Sequence, residues 1–306
     1  MKTETQRMVG KHRIALSNLD KEFFPASDLT KGDVVDYYER IADYLLPYLK
    51  DRPLSMQRFP DGLDGAGFYQ KQAPDYFPSW ITTTAVPVGS AGKTQWQVVC
   101  NDAATLVYLA NQGCLTLHPW LSRRDKLQHP DLLVFDLDPS RDDFSQVQAA
   151  ARVLKAVFDE LGVETFVRLT GSRGAHVVIP LDRKAEFDSV RTFAKKIAEQ
   201  AVQRAPTLLT LEHHKKKRGS RVFVDYLRNA YGQTIVAPYA LRARAGAPVA
   251  APLRWEELLS ASMEAQRYTM ENIFRRLAQT RDPWAELFRR PASLKSLSDR
   301  LARVAA

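Results

Sequence analysis

The segment LLVFDLDP, residues 132–139, is an apolar run that contains two carboxylates two positions apart. Its β-branched and aromatic residues predict a buried strand, on which alternate side chains point to opposite faces. Asp136 and Asp138 then project from one face of a sheet, whereas the apolar side chains pack on the other. Neighbouring carboxylates repel each other and lose hydration, and a divalent cation between them removes that cost. The segment therefore predicts a strand with a metal site on one face.

A second predicted strand, RVFVDYL at residues 221–227, places Asp225 among apolar neighbours. Carboxylates without clustered Cys or His suit Mg²⁺ or Mn²⁺ better than zinc. A third ligand would let two metals be bridged, and two ions can activate a 3′-hydroxyl and stabilise a leaving pyrophosphate. A structural alternative stays open, because a DxD pattern is short and common and its aspartates also cap strands or pair with Arg.

The loop TGSRGAH, residues 170–176, lies between the two acidic strands. Its two glycines let the backbone turn tightly and present N–H groups to an anion, while Arg173 and His176 can contact phosphate oxygens. The loop lacks the ending and the following helix of a Walker A motif. A simple β-hairpin is the alternative.

Two basic segments follow. HHKKKRGSR, residues 213–221, runs into the Asp225 strand and can direct Arg218 to a triphosphate, although such a run is more often a solvated loop. Arg242 and Arg244, in YALRARAGAP, form a second cationic pair, for which a salt-bridged surface is the alternative.

Composition limits the class of protein. The chain has 306 residues, 45% of them hydrophobic and 26% charged, as in a folded globular protein. Its net charge of +9 favours an anionic partner such as nucleic acid, although a merely basic enzyme fits as well. Cys100 and Cys114 show no metal-ligand spacing, and no apolar segment is long enough for a membrane span. These features predict a cytoplasmic protein without a membrane partner.

The pattern along the chain predicts a mixed α/β fold in one domain, residues 1–306, with an N-terminal module of about 1–100 packed on a core of about 101–306. Thr30 and Asp33 form a predicted capping box, and Asn101 and Ser145 are predicted helix caps. The other predicted elements are strands at 164–169, 176–181, 207–211, 221–227 and 233–237, a helix at 187–203, and a helix opening at Asp282-Pro283.

In this order, VFDLDP, TGSRGAHVVIPL and VFVDYLRN resemble the three catalytic motifs of the polymerase domain of bacterial ligase D. This family is a branch of the archaeo-eukaryotic primase superfamily that serves non-homologous end joining. The resemblance extends from TKGDVVDYY to APYALRARAGAPV, nearly the whole chain. It implies an archaeo-eukaryotic primase-like core with mixed β-sheets flanked by helices.

The resemblance also implies a role for each matching residue. The metal-binding catalytic residues, for two Mn²⁺ or Mg²⁺ ions, would be Asp136, Asp138 and Asp225. The residues that bind the nucleoside triphosphate, an NTP or dNTP, would be His118, Thr170, Arg173, His176, Arg218, Arg242 and Arg244. The 5′-phosphate of the DNA would be bound by Lys21 and Lys31, and the template would stack on Phe68 and Tyr69.

One motif departs from the family pattern. The usual loop reads SGGKG, whereas here Thr170 replaces Ser, Ser172 replaces the second Gly and Arg173 replaces Lys. Arginine keeps the charge but is planar and forked, so we expect the phosphate geometry and the nucleotide affinity to differ from those of relatives.

These observations predict a template-dependent nucleotidyltransferase that fills short gaps or 3′-overhangs at DNA ends and prefers ribonucleotides. The alternatives are a primase that starts chains de novo, an end-binding scaffold for a ligase, and a two-metal nuclease. By resemblance the partners are 5′-phosphorylated DNA, Ku and a separate ligase, at the bacterial nucleoid. No ligase or nuclease segment is recognised, so we expect either a free-standing protein or an excised domain, and the initial Met with a short polar leader favours the former.

Overall fold

A computed structural model describes residues 4–89 and 92–304. The chain divides into two compact units. The first unit comprises the chain up to Asp125 together with Thr234–Ala250 and Tyr268–Phe274. The second unit comprises Lys126–Gln233, Ala251–Arg267 and the chain from Arg275 onward. The predicted module boundary near residue 100 stays a prediction.

The first unit is built from small antiparallel sheets and three helices among its described residues. Its strands are β1 (Glu4–Val9), β2 (His12–Ser17), β3 (Glu22–Phe24), β4 (Leu29–Thr30), β5 (Leu54–Arg58), β6 (Phe68–Gln70), β7 (Thr83–Val88), β8 (Lys93–Val98) and β9 (Cys114–Pro119). Its helices are α1 (Lys31–Arg40), α2 (Ala42–Leu49) and α3 (Ala103–Asn111). The sheets pair β1 with β2, β3 with β4, β7 with β8, and β5 between β6 and β9.

The second unit contains the largest sheet. Its strands are β10 (Leu132–Asp138), β11 (Phe166–Leu169), β12 (Ala175–Pro180), β13 (Leu209–Thr210), β14 (Val222–Asp225) and β15 (Pro252–Leu253). They form one sheet of order β13-β14-β10-β12-β11-β15, antiparallel except for the β13–β14 pair. The helices are α4 (Phe144–Glu160), α5 (Phe187–Arg204), α6 (Trp255–Leu258) and α8 (Leu294–Val304), while α7 (Ile273–Gln279) begins in the first unit and ends in the second.

The apolar side chains of β10 decide which face of this sheet is covered. Phe135 is fully buried and lies against Phe158 of α4, with ring centroids 5.8 Å apart. Because side chains alternate along a strand, Asp136 and Asp138 project from the opposite face. The mixed α/β fold class and the alternation predicted from LLVFDLDP are therefore confirmed.

The N-terminal end of α1 and the helical segment that follows it were both predicted from the sequence. The capping box of α1 is confirmed, because Thr30 accepts the Asp33 N–H (3.2 Å) and Asp33 accepts the Thr30 N–H (2.7 Å). The apolar spacing from Val34 to Leu45 indicates one continuous helix, but the chain breaks at Ile41 into α1 and α2.

Two predicted caps were wrong by one or two positions. Asp102, not Asn101, caps α3, because the Asn101 side chain instead pairs with Asp51 through two hydrogen bonds of 2.8 and 3.0 Å. Asp143, not Ser145, caps α4 by accepting the Ser145 N–H (3.0 Å).

Other predicted elements are shorter or absent. The strands predicted at 164–169, 176–181, 207–211 and 221–227 appear, each with bounds within two residues of those predicted. No strand forms at 233–237, which the structure describes as coil with a single bridge from Thr234 to Trp120. Residues 283–289 form turns rather than a helix, and the amphipathic helix α8 was not predicted.

Cys100 and Cys114 are both free and buried. Among the described residues, no helix combines the length and the apolar character that crossing a bilayer requires.

Candidate catalytic site

Four polar side chains form a row across the acidic face of the large sheet. Asp225 on β14 lies opposite Asp136 on β10, Asp136 lies opposite His176 on β12, and His176 lies opposite Arg168 on β11. Direct cross-strand partners project from the same face, with Cβ atoms about 4.5–5.5 Å apart. The sequence separations of these residues are large, so the sheet register brings them together.

Asp138 follows Asp136 by two residues and shares its face. Burial, together with the charges of Asp136 and Asp225, raises the pKa of Asp138 to about 6 against the opposing effect of Arg228 and Arg218. A carboxyl group with this pKa is held in surroundings that disfavour its charge. An added cation would relieve that penalty.

Asp225 is buried, and burial raises its pKa against the opposing effect of Arg228. Its Oδ1 atom accepts the Leu227 N–H (2.9 Å), and its Oδ2 atom lies 3.2 Å from Arg228 Nε. The same Arg228 nitrogen lies 3.7 Å from Asp136 Oδ2. Arg228 therefore supplies positive charge to two of the three carboxylates.

Arg228 was missed at the level of sequence, although VFVDYLRN contains a usable signal. The residue follows Asp225 by three positions, and the short 3-10 helix Leu227–Asn229 turns it back toward the strand end. An i,i+3 acid–base pair just after a strand predicts such a contact. Arg168 carried a similar signal, as a lone cation within the apolar strand FVRL.

His176 links Arg168 to Asp136. Arg168 Nη2 lies 2.8 Å from His176 Nδ1, and His176 Nε2 lies 3.2 Å from Asp136 Oδ1. A guanidinium can only donate, so Nδ1 must accept and the ring hydrogen must lie on Nε2, where it is donated to Asp136. Arg168 thus fixes the tautomer that His176 presents to the carboxylate.

The pKa values agree with this arrangement. Burial, together with the charge of Arg168, lowers the pKa of His176 to about 4 despite the opposing charge of Asp136. For Asp136, burial favours the neutral form, but His176, Arg228 and Arg168 together outweigh it and lower the pKa. At neutral pH the pair is a neutral imidazole and a carboxylate. The predicted phosphate contact of His176 stays a prediction, since both ring nitrogens already have partners.

The three carboxylates are neighbours on the sheet, but their oxygens do not surround a common point. Among residues 4–89 and 92–304, no three His, Cys, Asp or Glu side chains are arranged to hold a metal ion as they stand. Instead Arg228 lies within 4 Å of oxygens from Asp136 and Asp225. The donor set itself, three carboxylates of which two have raised pKa values, fits a hard divalent cation.

The loop after β11 is a hairpin connection. Thr170 N and Thr170 Oγ1 both donate to the Gly174 carbonyl oxygen (3.1 and 3.0 Å), and Gly171 adopts a positive φ of 65°. A Cβ atom at Gly174 would collide with the Leu137 carbonyl oxygen of β10, so the loop must approach the acidic strand without a side chain there. Arg173 is partly exposed and forms no ion pair with any residue that the structure describes.

Arg218 is buried within its own loop. Its guanidinium carbon lies 4.0 Å from the centroid of the Phe223 ring, and it donates to the carbonyl oxygens of Glu212 (2.8 Å) and His213 (2.9 Å). Phe223 is the cross-strand partner of Asp138. The predicted triphosphate contact of Arg218 stays a prediction. Its two hydrogen bonds and its contact with Phe223 show that it also stabilises the loop.

In the first unit, the predicted template residues are exposed aromatic side chains on β6. Phe68 is 44% and Tyr69 61% accessible to solvent. The Tyr69 ring lies 5.5 Å from the buried ring of His118 on β9. Exposed aromatic faces are typical of surfaces that stack nucleic acid bases. Their roles, and that of His118 in nucleotide binding, stay predictions.

Lys21 and Lys31 lie together beside the β3–β4 pair. The Lys31 N–H donates to the Lys21 carbonyl oxygen (2.7 Å), and Lys21 Nζ pairs with Asp61 and with the Pro60 carbonyl oxygen. Lys31 is buried and donates to the Ser17 carbonyl oxygen. Burial, and then the charge of Lys21, lower the pKa of Lys31 to about 8. Two neighbouring ammonium groups are a suitable receptor for a phosphate dianion.

Arg242 and Arg244 lie on the turn that closes between Leu241 and Val249. The Arg242 N–H donates to the Pro248 carbonyl oxygen (2.8 Å), and the Arg244 N–H donates to the Arg242 carbonyl oxygen (2.8 Å). Arg244 is exposed. Their nucleotide-binding role stays a prediction.

In the second unit, a mixed sheet carries three neighbouring carboxylates. The hairpin that leads into the adjacent strand β12 carries Arg173, a cation that forms no ion pair among the described residues. This combination is typical of metal-dependent enzymes of nucleotidyl transfer, which place phosphate ligands beside carboxylates. Comparison with known proteins identifies the family within that class.

Residues 30–284 match the family described as LigD, primase-polymerase domain. The chain is 34% identical over 282 residues to the bifunctional non-homologous end joining protein LigD of Bacillus subtilis, covering 91% of this chain and 45% of that protein. It is 33% identical over 301 residues to the multifunctional non-homologous end joining DNA repair protein LigD of Mycobacterium tuberculosis, covering 95% of this chain and 38% of that protein. The chain thus spans less than half the length of these relatives.

A solved structure, the polymerase domain from Mycobacterium tuberculosis ligase D in complex with DNA, matches with a TM-score of 0.85. The match has 30% sequence identity and covers 92% of this chain and 99% of that chain. The chain belongs to the LigD primase-polymerase domain family, a family of nucleotidyltransferases. The resemblance stated from the sequence motifs is confirmed.

Proposed function

We propose that this protein is a template-dependent polymerase that fills short gaps and 3′-overhangs at broken DNA ends during non-homologous end joining, and that it prefers ribonucleotides. The main support is the shared sheet face of Asp136, Asp138 and Asp225, set by the register of β10 and β14. Family membership and the DNA-bound relative support the same substrate class.

Asp136, Asp138 and Asp225 would hold the divalent cations, for which we propose Mn²⁺ or Mg²⁺. When bound, such ions lower the pKa of a 3′-hydroxyl and neutralise the leaving pyrophosphate. The carboxylates are suited to this because the pKa values of Asp138 and Asp225 are raised, so both gain from a nearby positive charge. Arg228, now beside Asp136 and Asp225, would turn its charge to the reacting phosphates.

The loop between β11 and β12 would bind the triphosphate of the incoming NTP or dNTP. Arg173 has no ion pair within the described chain, so its guanidinium can form a two-pronged contact with phosphate oxygens. Thr170 is tied to Gly174, which keeps the loop closed beside β10. The contact orients the α-phosphate for in-line attack.

The DNA end would be held by two features of the first unit. Lys21 and Lys31 would bind the 5′-phosphate, and Phe68 and Tyr69 would stack on template bases. Ku and a separate ligase are the proposed protein partners, and the bacterial cytoplasm at the nucleoid is the proposed location. His118, Arg242 and Arg244 remain proposed nucleotide ligands.

A gapped-duplex extension assay tests this function. We expect single-nucleotide additions that require a template and a divalent cation, stop with EDTA, resume with Mn²⁺, and are faster with NTPs than with dNTPs. Other outcomes separate the alternatives. Synthesis on unprimed single strands would indicate a primase. Tight binding to DNA ends without incorporation would indicate a scaffold, and shortening of the strand would indicate a nuclease.

We expect recognition of the 5′-phosphate to weaken as the pH rises. Lys31 has a pKa of about 8, so its charge is present at pH 7 and largely lost by pH 9.5, while the DNA phosphate stays fully charged above pH 7. Binding of the phosphate raises this pKa and moves the loss to a somewhat higher pH. The affinity ratio between 5′-phosphate and 5′-hydroxyl duplexes should fall by roughly tenfold over this range.

The matched variants are Lys31→Arg, which stays charged and should flatten the pH profile, and Lys31→Gln, which should give a low ratio throughout. The ratio is measured by fluorescence anisotropy at several pH values. An unchanged pH profile in Lys31→Gln would show that Lys31 does not contact the phosphate.

A further inference from the structure

The three consecutive lysines Lys215–Lys217, here called the lysine turn, form a short 3-10 helix on the loop between β13 and β14. None of the proposed functions above uses them. All three side chains are exposed, and none forms an ion pair with a residue that the structure describes. Clustered like charges repel each other, so the interaction among the three lysines does not stabilise the fold.

The loop that carries the lysine turn is fixed on both sides. Arg218 packs on Phe223 and donates to the carbonyl oxygens of Glu212 and His213. Arg221 donates to the carbonyl oxygens of Arg218 (3.0 Å) and Lys217 (3.2 Å). The guanidinium groups of Arg218 and Arg221 thus donate hydrogen bonds to backbone oxygens of the loop, whereas the three lysine side chains are exposed to solvent.

The same contacts place the turn beside the carboxylates. Phe223 is the cross-strand partner of Asp138, and the ring of His213 meets the Phe223 ring at 5.2 Å. The charge of Arg218 acts on Asp138. Arg218, which directly follows the lysine turn, therefore contacts the side chain that lies opposite Asp138 on the sheet.

We propose that the lysine turn binds the sugar–phosphate backbone of the DNA strand whose 3′ end is extended, a few nucleotides before that end. This inference rests on the proposed function and adds a binding site to it. A strand that brings its 3′-hydroxyl to the carboxylates brings its last phosphates with it, at about 3.4 Å of rise per nucleotide. Flexible lysines suit a backbone contact that does not depend on sequence.

The test replaces the three charges and leaves the loop anchors in place. The variant is Lys215→Gln/Lys216→Gln/Lys217→Gln, and the control of equal charge change is Lys184→Gln/Lys196→Gln/Lys295→Gln, three exposed lysines elsewhere in the second unit. Affinity for a primer–template duplex with a 5′-hydroxyl is measured by anisotropy in EDTA over a series of salt concentrations. Omitting the metal and the nucleotide makes this measurement independent of catalysis.

We expect the slope of log affinity against log salt to become shallower by about 2 to 3, since each lost phosphate contact removes about 0.9. Affinity at low salt should fall at least tenfold, and the control should change little. In extension assays the KM for DNA should rise, while kcat and the KM for the nucleotide stay constant. A Lys→Arg triple variant should restore the slope.

Two results would overturn the proposal. One is a salt slope equal to that of the control variant, and the other is a rise in the nucleotide KM without a change in DNA binding, which would assign the lysines to the triphosphate. If the triple variant melts at a lower temperature, single Lys→Gln variants replace it, each with an expected slope change of about 0.9. Absence of incorporation by the wild type would refute the polymerase function but leave the binding comparison intact.

Discussion

Asp138→Asn should reduce nucleotide incorporation by at least about a thousandfold and at the same time stabilise the metal-free protein. The first effect follows because an amide cannot replace a carboxylate as a charged metal ligand. The second follows from the raised pKa of Asp138, about 6, which shows that the folded chain disfavours its charge.

The direction of the pH effect follows from that pKa. A carboxyl group whose folded pKa lies above its unfolded value makes the protein less stable as the pH rises, here between about pH 4 and pH 6. Asparagine carries no charge at any of these pH values, so the variant does not lose stability in this way. We expect the metal-free variant to be more stable than the wild type by roughly 1–3 kcal/mol above pH 6, and the difference to vanish near pH 4.

Thermal melting in EDTA from pH 4 to pH 8, together with single-turnover extension, checks both effects. Asp188→Asn is the matched control, since the Asp188 side chain is 93% exposed, and it should alter neither stability nor rate. Equal stability of wild type and Asp138→Asn at neutral pH would contradict the assigned surroundings of Asp138. Retained extension would contradict its role as a ligand.

His176→Leu should weaken Mn²⁺ binding by about 10- to 100-fold, whereas His176→Gln should retain much of it. His176 is a positioning residue, because its Nε2 hydrogen holds the Asp136 carboxylate and its Nδ1 atom is held by Arg168. Leucine removes the donor and leaves Asp136 free to rotate. The amide nitrogen of glutamine reaches the region of Nε2 and can donate in its place.

Bound Mn²⁺ is measured by electron paramagnetic resonance well below the melting temperature of each variant, so that loss of fold does not enter the affinity. Arg168→Met should also weaken Mn²⁺ binding, because without the Arg168 donor the hydrogen of the His176 ring is no longer confined to Nε2. If both His176 variants bound Mn²⁺ like the wild type and differed only in melting temperature, the role of this row would be purely structural.

Local features were predictable where the cause was local. The alternation in LLVFDLDP and the capping box of Thr30 and Asp33 depend on residues a few positions apart, and both were confirmed. The caps of α3 and α4 were misplaced because the competing acceptors include Asp51, fifty positions away from Asn101. Short propensity rules do not contain such contacts.

The sequence itself predicted the acidic strands, because carboxylates within apolar strands are costly unless a ligand compensates them, and the order of its motifs identified the family. The tertiary structure alone decided the row Asp225–Asp136–His176–Arg168 and the position of Arg228 beside two carboxylates. The reason is register. Pairing across β14, β10, β12 and β11 joins residues up to 89 positions apart, as for Asp136 and Asp225, and it depends on how the whole sheet packs rather than on any one segment.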